Sequence, residues 1–269
     1  MQPLSIHEAV LFSVIKITSV WNWQENIGTW FFVNHEWIIY LVTNKHVILN
    51  WIEKWTFEFV SGANWEPIIW GKYIHEFWND FLSKWILHPE YDIAVMNVMN
   101  IILPLNGRIF FRSLTDINTP KDLYLFDVCE HVQFVWYPNG QWDDKNVIPI
   151  FRQWYTATPI YLDYDWTPSF LIDANAFPWS SWSPVLIIEV GAKTWKPTEP
   201  NKWYNINHGK PVFYLLWMLT ESLYTDDEEE IKSSEVWKKM AITDIHHWLN
   251  LWIVIRADTI FNFIKSISK

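Results

Sequence analysis

Leu41-Val42-Thr43-Asn44-Lys45-His46-Val47 ends an apolar, β-branched run with a histidine. The residues before it read as a strand, 37–44, and the imidazole stands at that strand's edge. Two later segments have the same construction. In His88-Pro89-Glu90-Tyr91-Asp92-Ile93-Ala94-Val95, Asp92 opens a candidate strand, 92–99. In Phe177-Pro178-Trp179-Ser180-Ser181-Trp182-Ser183-Pro184-Val185, Ser181 stands just before another, 184–190. Each is an apolar run with a chemically able side chain at its border.

Outward from these, runs rich in Val, Ile, Phe and Tyr recur at 10–18, 28–34, 55–60, 81–87, 131–136, 147–158, 169–173, 211–219 and 250–255. Their length and spacing predict an all-β chain of barrels or sandwiches. Helices are predicted over 119–129 and over 257–267, where Ile260, Ile264 and Ile267 recur at helical spacing. The stretch 100–120, with Pro104, Gly107, Asn118 and Pro120, reads as a connector. The expected organisation is a first domain over 1–110 with His46 and Asp92, a second over 111–256 with Ser181, and a terminal helix over 257–269. Residues 191–210 and the run Asp226-Asp227-Glu228-Glu229-Glu230 read as surface loops.

Half of the 269 residues are apolar and 19% are charged, which places the chain among globular proteins. Its net charge of -10 argues against a nucleic-acid partner, whose phosphates it would repel, and none is expected. Cys129 is the only cysteine, so no intrachain disulfide can form. No apolar run is long enough for a membrane span, and the N-terminus lacks the basic start and cleavage site of a secretory signal. The expected location is cytoplasmic, with no membrane partner. His246, His247 and Asp244 do not form a metal set, because adjacent residues on a regular element face different ways and no further ligand follows at ligand spacing. No metal and no cofactor are expected.

The residue types at the three edges form a working set. A serine hydroxyl is a weak nucleophile at neutral pH and needs a base that titrates near that range, which imidazole does. The base needs a carboxylate to hold its tautomer, and the acyl intermediate needs backbone N–H groups aimed at its oxyanion. Alone, each of His46, Asp92 and Ser181 has an ordinary structural explanation. Their order along the chain and their shared place at strand edges point to catalysis.

These segments resemble the trypsin-like (chymotrypsin-fold) serine peptidases, above all the bacterial, disulfide-free members. Gly28-Thr29-Trp30-Phe31-Phe32-Val33 resembles that family's first-barrel strand, Thr43-Asn44-Lys45-His46-Val47 its histidine motif and Asp92-Ile93-Ala94-Val95 its aspartate motif. Trp179-Ser180-Ser181-Trp182-Ser183-Pro184 resembles its nucleophile motif, and Phe213-Tyr214-Leu215-Leu216-Trp217-Met218 the strand that walls its cleft. The resemblance implies two six-stranded antiparallel barrels followed by a C-terminal helix, and a serine endopeptidase with the triad His46, Asp92 and Ser181. It implies an oxyanion hole at the backbone N–H groups of Trp179 and Ser181. It also implies a substrate pocket near Asn175, Thr220 and Ser222, and a peptide or protein substrate added as an extended strand. No acidic residue stands at 175, so a preference for Lys or Arg is not implied.

The departures from the family pattern share one form: Trp stands where the family has Gly. Trp30, Trp136, Trp179, Trp182 and Trp217 are such positions, and Trp23, Trp51, Trp65 and Trp166 follow Asn or Asp where a hairpin turn favours Gly. The chain has 22 Trp and 7 Gly, whereas ordinary usage gives roughly 19 Gly in this length. The pattern fits a gene whose UGA codons specify glycine but have been read as tryptophan; the codons at 179, 182 and 217 decide it. Trp85 and Trp248 read as genuine. With Trp genuine at 179 and 182, the alternative is a catalytically impaired, protease-like peptide-binding module.

Overall fold

In the computed structural model, which describes residues 5–21, 24–49, 54–64, 66–77, 81–115, 119–137, 143, 145–174, 183–190, 193–195, 205–207, 212–231 and 241–268, the chain opens with a helix, α1 (Ile6–Leu11). Ser5 and Glu8 close a capping box at its start: the Ser5 hydroxyl accepts from the Glu8 N–H at 3.2 Å, and the Ser5 N–H donates to Glu8 Oε2 at 2.7 Å. The strand expected at 10–18 therefore begins only at residue 14.

The first half of the chain forms one sheet from β1 (Val14–Trp21), β2 (Gln24–His35), β3 (Ile38–Thr43), β4 (Lys54–Ala63), β5 (Glu66–Phe77), β6 (Trp85–Leu87), β7 (Ala94–Asn97), β8 (Ile109–Phe110) and β9 (Leu114–Thr115). The short helix α2 (Lys45–Ile48) follows β3, and α3 (Met99–Ile102) follows β7. Strand order is β5-β4-β1-β2-β3-β7-β6, with β8 on β4 and β9 on β2. Sequence expectation allotted this half six strands; the structure adds β5 and, inside the supposed connector 100–120, the short β8 and β9. Gly62 admits β8, since a Cβ there would lie 2.8 Å from the Ile109 carbonyl.

The second half closes into a six-stranded barrel of β10 (His131–Trp136), β11 (Ile150–Thr156), β12 (Ser169–Asp173), β13 (Pro184–Glu189), β16 (Val212–Ile231) and β17 (Ala241–Arg256). A separate ribbon pairs β14 (Lys193–Trp195) with β15 (Asn205–Asn207), inside the stretch expected to be loop. The acidic run also departs from expectation. Its backbone continues β16 and pairs with β17, Asp226 opposite His246 and Glu230 opposite Ile242. The helix expected over 119–129 is absent: Leu123–Leu125 makes a single 3₁₀ turn, capped by Asp122 on the Tyr124 N–H at 3.0 Å. The chain then turns extended at Phe126, which is buried in the barrel. The expected terminal helix is present as α4 (Ala257–Ile267). Among the described residues no helix is long and apolar enough to cross a membrane. An antiparallel barrel, a second sheet and a C-terminal helix are the parts of a chymotrypsin-like two-barrel fold.

The central strands read as unbroken apolar runs because both of their faces are buried. Side chains alternate across a strand. Trp30 and Phe32 of β2, Ile39 and Leu41 of β3, and Ala94 and Met96 of β7 enter the core of the first sheet. Phe31, Val33, Tyr40, Val42 and Val95 enter a second core shared with Val135, Leu186, Ile188, Leu215 and Met218 of the barrel. Ile260, Phe261 and Ile264 of α4 pack into that shared core. A polar seam crosses it: the Tyr137 N–H donates to Thr29 Oγ1 at 2.6 Å, and the Tyr137 hydroxyl donates to the Val147 carbonyl at 2.8 Å. Burial, then the nearby Glu58 charge, pushes the Tyr137 hydroxyl well above its usual range.

Among the described residues, two groups of tryptophans contrast. Trp30 is fully buried, its ring within 4.7–5.8 Å of Trp55, Phe57, Phe81 and Trp85, and Trp136 is 2% exposed. Trp37, Trp70 and Trp166 instead adopt φ of 70°, 88° and 62°, at 89%, 66% and 96% exposure. Glu36-Trp37 is the two-residue turn between paired His35 and Ile38, and Asp165-Trp166 the turn between Tyr164 and Thr167. Both residues of each pair have positive φ, the type I′ geometry that favours glycine second. Trp70 lies opposite the irregularity between Val60 and Gly62. Trp23, Trp51, Trp65, Trp179 and Trp182 lie outside the described residues, and nothing is described of the Trp217 side chain. We expect Trp37→Gly and Trp166→Gly each to raise unfolding free energy by about 1 kcal/mol, read as an upward shift of the urea midpoint; a downward shift contradicts the glycine reading.

Candidate active site

β3 and β7 pair antiparallel, with Thr43 opposite Ala94. The residues just past the end of β3 and just before the start of β7 therefore emerge together. His46 sits in α2, three residues after Thr43, and Asp92 two residues before Ala94. His46 Nδ1 lies 2.6 Å from Asp92 Oδ2, and the His46 backbone N–H donates to Asp92 Oδ1 at 3.1 Å. This two-point contact fixes the carboxylate against both the ring and the main chain. An ionised carboxylate accepts only, so the ring proton sits on Nδ1 and Nε2 is the basic nitrogen.

Asn44 completes the cradle, a role that its place beside His46 in the sequence does not announce. Its buried amide donates to the Asp92 carbonyl at 3.0 Å and to Asp92 Oδ2 at 3.1 Å. Lys45 bridges the two motifs through Nζ, which donates to the His88 carbonyl at 2.9 Å. Burial on its own would raise the Asp92 carboxyl. It is outweighed by the His46 ring bond and charge, the His46 N–H and the Asn44 amide, which together hold the group below its usual range. Side-chain exposures of 52% for His46 and 34% for Asp92 leave the imidazole open to solvent while the carboxylate stays shielded.

Ser181, Trp179 and Asn175 lie outside the described residues. Ser183, two residues after Ser181, is fully buried, and its carbonyl accepts from the Leu219 N–H at 3.1 Å. β13 follows at once, and its Leu186 and Ile188 share a core with Val42 and Val95, the neighbours of the His46–Asp92 pair in sequence. Thr220 is in β16, where its hydroxyl donates to the Ile253 carbonyl at 3.0 Å. That bond ties Thr220 into the barrel wall. The backbone of Ser222 lies in the same strand, opposite Trp252.

No family model and no curated protein matches this chain. Among solved structures, similarity is found to a variant of the HtrA-type protease AlgW with tripeptide, at 13% identity and TM-score 0.48, covering 98% of this chain and 64% of that one. Tobacco vein mottling virus protease matches at 9% identity and TM-score 0.47, covering 95% and 82%. A thermostable serine protease from an extremophilic microorganism matches at 9% identity and TM-score 0.43, covering 92% of each chain. This chain thus spans less than two thirds of the HtrA-type protein. The strand pairing of this chain itself defines its fold.

A depressed carboxyl pKa stabilises the folded state above its ordinary value, 3.8, and that stabilisation is lost as pH falls through the lower folded value. Wild type is therefore expected to exceed Asp92→Asn in stability near neutral pH and to lose the advantage below about pH 4. A stability difference that stays constant down to about pH 2 in denaturant titrations contradicts an ionised, partnered Asp92.

Proposed function

We propose that this chain is a serine endopeptidase in which Ser181 is the nucleophile, His46 the general base and Asp92 its orienting partner. The observation that carries the reading is the 2.6 Å contact of His46 Nδ1 with Asp92 Oδ2, backed by the His46 N–H on Oδ1. A half-buried carboxylate bonded in this way selects the tautomer a base needs and stabilises the imidazolium formed when it takes a proton. Ser181 stands in the segment leading into β13, which packs into the same core as β3 and β7.

In the proposed reaction the Ser181 Oγ attacks the scissile carbonyl carbon and its proton passes to His46 Nε2. The tetrahedral oxyanion is met by the backbone N–H groups of residues 179 and 181. Collapse breaks the C–N bond, His46 returns the proton to the departing amine, and an acyl-enzyme remains. Water, deprotonated by the same imidazole, hydrolyses the ester and restores Ser181. A peptide docked as an extended strand presents its carbonyl to such a site, and residues near Asn175, Thr220 and Ser222 would set its side-chain preference.

The working enzyme in this proposal has glycine at 179 and 182. A tryptophan at 179 disfavours the backbone conformation an oxyanion-hole donor needs, and loss of one donor costs roughly 10²–10³ in rate. The protein with glycine at both positions is expected to react with a fluorophosphonate probe and to cleave unstructured protein. Ser181→Ala and His46→Ala are each expected to lower peptide hydrolysis by roughly 10⁴- to 10⁶-fold. Absence of labelling and cleavage in the glycine form supports the peptide-binding module instead.

A further inference from the structure

His88 belongs to no part of the proposed triad, yet it organises the turn that delivers Asp92. It follows β6, and Pro89 behind it has no N–H. Its Nδ1 accepts two backbone N–H groups at once, from Glu90 at 3.1 Å and from Tyr91 at 3.0 Å. Its main chain closes the same turn: the His88 N–H donates to the Ile93 carbonyl at 2.9 Å, and the Ile93 N–H to the Tyr91 carbonyl at 2.8 Å. Its carbonyl accepts from Lys45 Nζ, next to His46. The ring is clamped between Tyr91 and Phe263 of α4, each with its centroid 4.8 Å away. Asp92 is thus held in a six-residue turn whose inner hydrogen-bond acceptor is one imidazole nitrogen.

We infer that His88 is a positioning residue for Asp92, and that it does so only as the neutral imidazole with Nδ1 bare. A nitrogen that accepts two N–H groups cannot itself carry a proton. Protonation of His88 converts that acceptor into a donor facing two other donors, and the turn that aims Asp92 at His46 loses its centre. The groups that face the ring are Lys45 from α2, Glu90 and Tyr91 from its own turn, and the uncharged Phe263 from α4. Burial first, then the Lys45 charge, lowers the His88 pKa, against an opposing pull from Glu90. The neutral form therefore prevails above its ordinary value of 6.5, and the turn loosens as pH falls through the lower folded value.

This inference rests on the proposed catalytic role of His46 and Asp92, so its test carries one readout that does not need turnover. His88→Asn keeps an acceptor that reaches backbone N–H groups two and three residues on and does not titrate; His88→Leu fills the space without one. Fluorophosphonate labelling rates are measured against pH in the glycine form, and the far-downfield proton NMR signal of His46 Nδ1–H is followed in Ser181→Ala protein. His88→Leu is expected to lose that signal and to label about 10- to 100-fold more slowly. His88→Asn is expected to keep the signal and about a third or more of the rate. The wild-type labelling rate is expected to fall more steeply with acid than that of His88→Asn, whose residue 88 does not titrate. Where His88→Leu fails to fold, that difference in steepness carries the test. Equal signals and rates in folded His88→Leu, or acid limbs of equal steepness in wild type and His88→Asn, overturn the inference. A signal that responds to His88→Leu in a protein that never labels removes the peptidase reading and leaves the positioning role standing.

Discussion

The antiparallel pairing of β3 with β7 is the constraint on which the rest depends. Placing Thr43 opposite Ala94 fixes the distance between the chain leaving one strand and the chain entering the other. The imidazole of His46 and the carboxylate of Asp92 then need only short local devices to meet. Asn44 supplies one, through its bonds to the Asp92 carbonyl and carboxylate. The His88 turn supplies another. A slip of one residue in this register would exchange the faces of β3 and pull the two groups apart.

That register is held because neither face of the strands can reach water. Leu41 and Met96 face the aromatic core around Trp30, while Val42 and Val95 face the core shared with the barrel. A slip would drive each set into a space shaped for the other, and burial of such side chains is worth about 1.5–3 kcal/mol apiece. α4 seals the shared core with Ile260, Phe261 and Ile264, and Phe263 carries that packing onto the His88 ring. The geometry of the His46–Asp92 pair is therefore a property of both halves and of the terminal helix together.

Much of this was legible from residue pattern. β10, β12 and α4 fall on the expected residues because their apolar runs are bounded by unambiguous turn and helix signals. The His46–Asp92 contact follows from two motifs at neighbouring strand edges. Elements lacking a strong apolar run were missed. β5 pairs only with β4 and leaves Ile68, Trp70 and Ile74 exposed alongside Glu66, Lys72 and Glu76, so its apolar residues do not mark one buried face, and α1 announced itself only through the Ser5–Glu8 capping box. The stretch 119–129 looked helical, but Phe126 is drawn into the barrel and the turn ends there. The role of His88 could not be read from sequence, because a ring nitrogen accepting two main-chain N–H groups leaves no trace in residue spacing. The tryptophan excess was visible as composition. Only the backbone separates Trp30, which fills a core, from Trp37 and Trp166, which occupy positive-φ turns.

Whether Ser181 completes the pair formed by His46 and Asp92 is decided by a crystal structure of the glycine-179, glycine-182 form. Ser181 Oγ is expected at hydrogen-bond distance, about 2.6–3.2 Å, from His46 Nε2, with the Nδ1–Asp92 contact retained. A serine held well beyond that reach, or an imidazole turned away from Asp92, rules the proposed triad out.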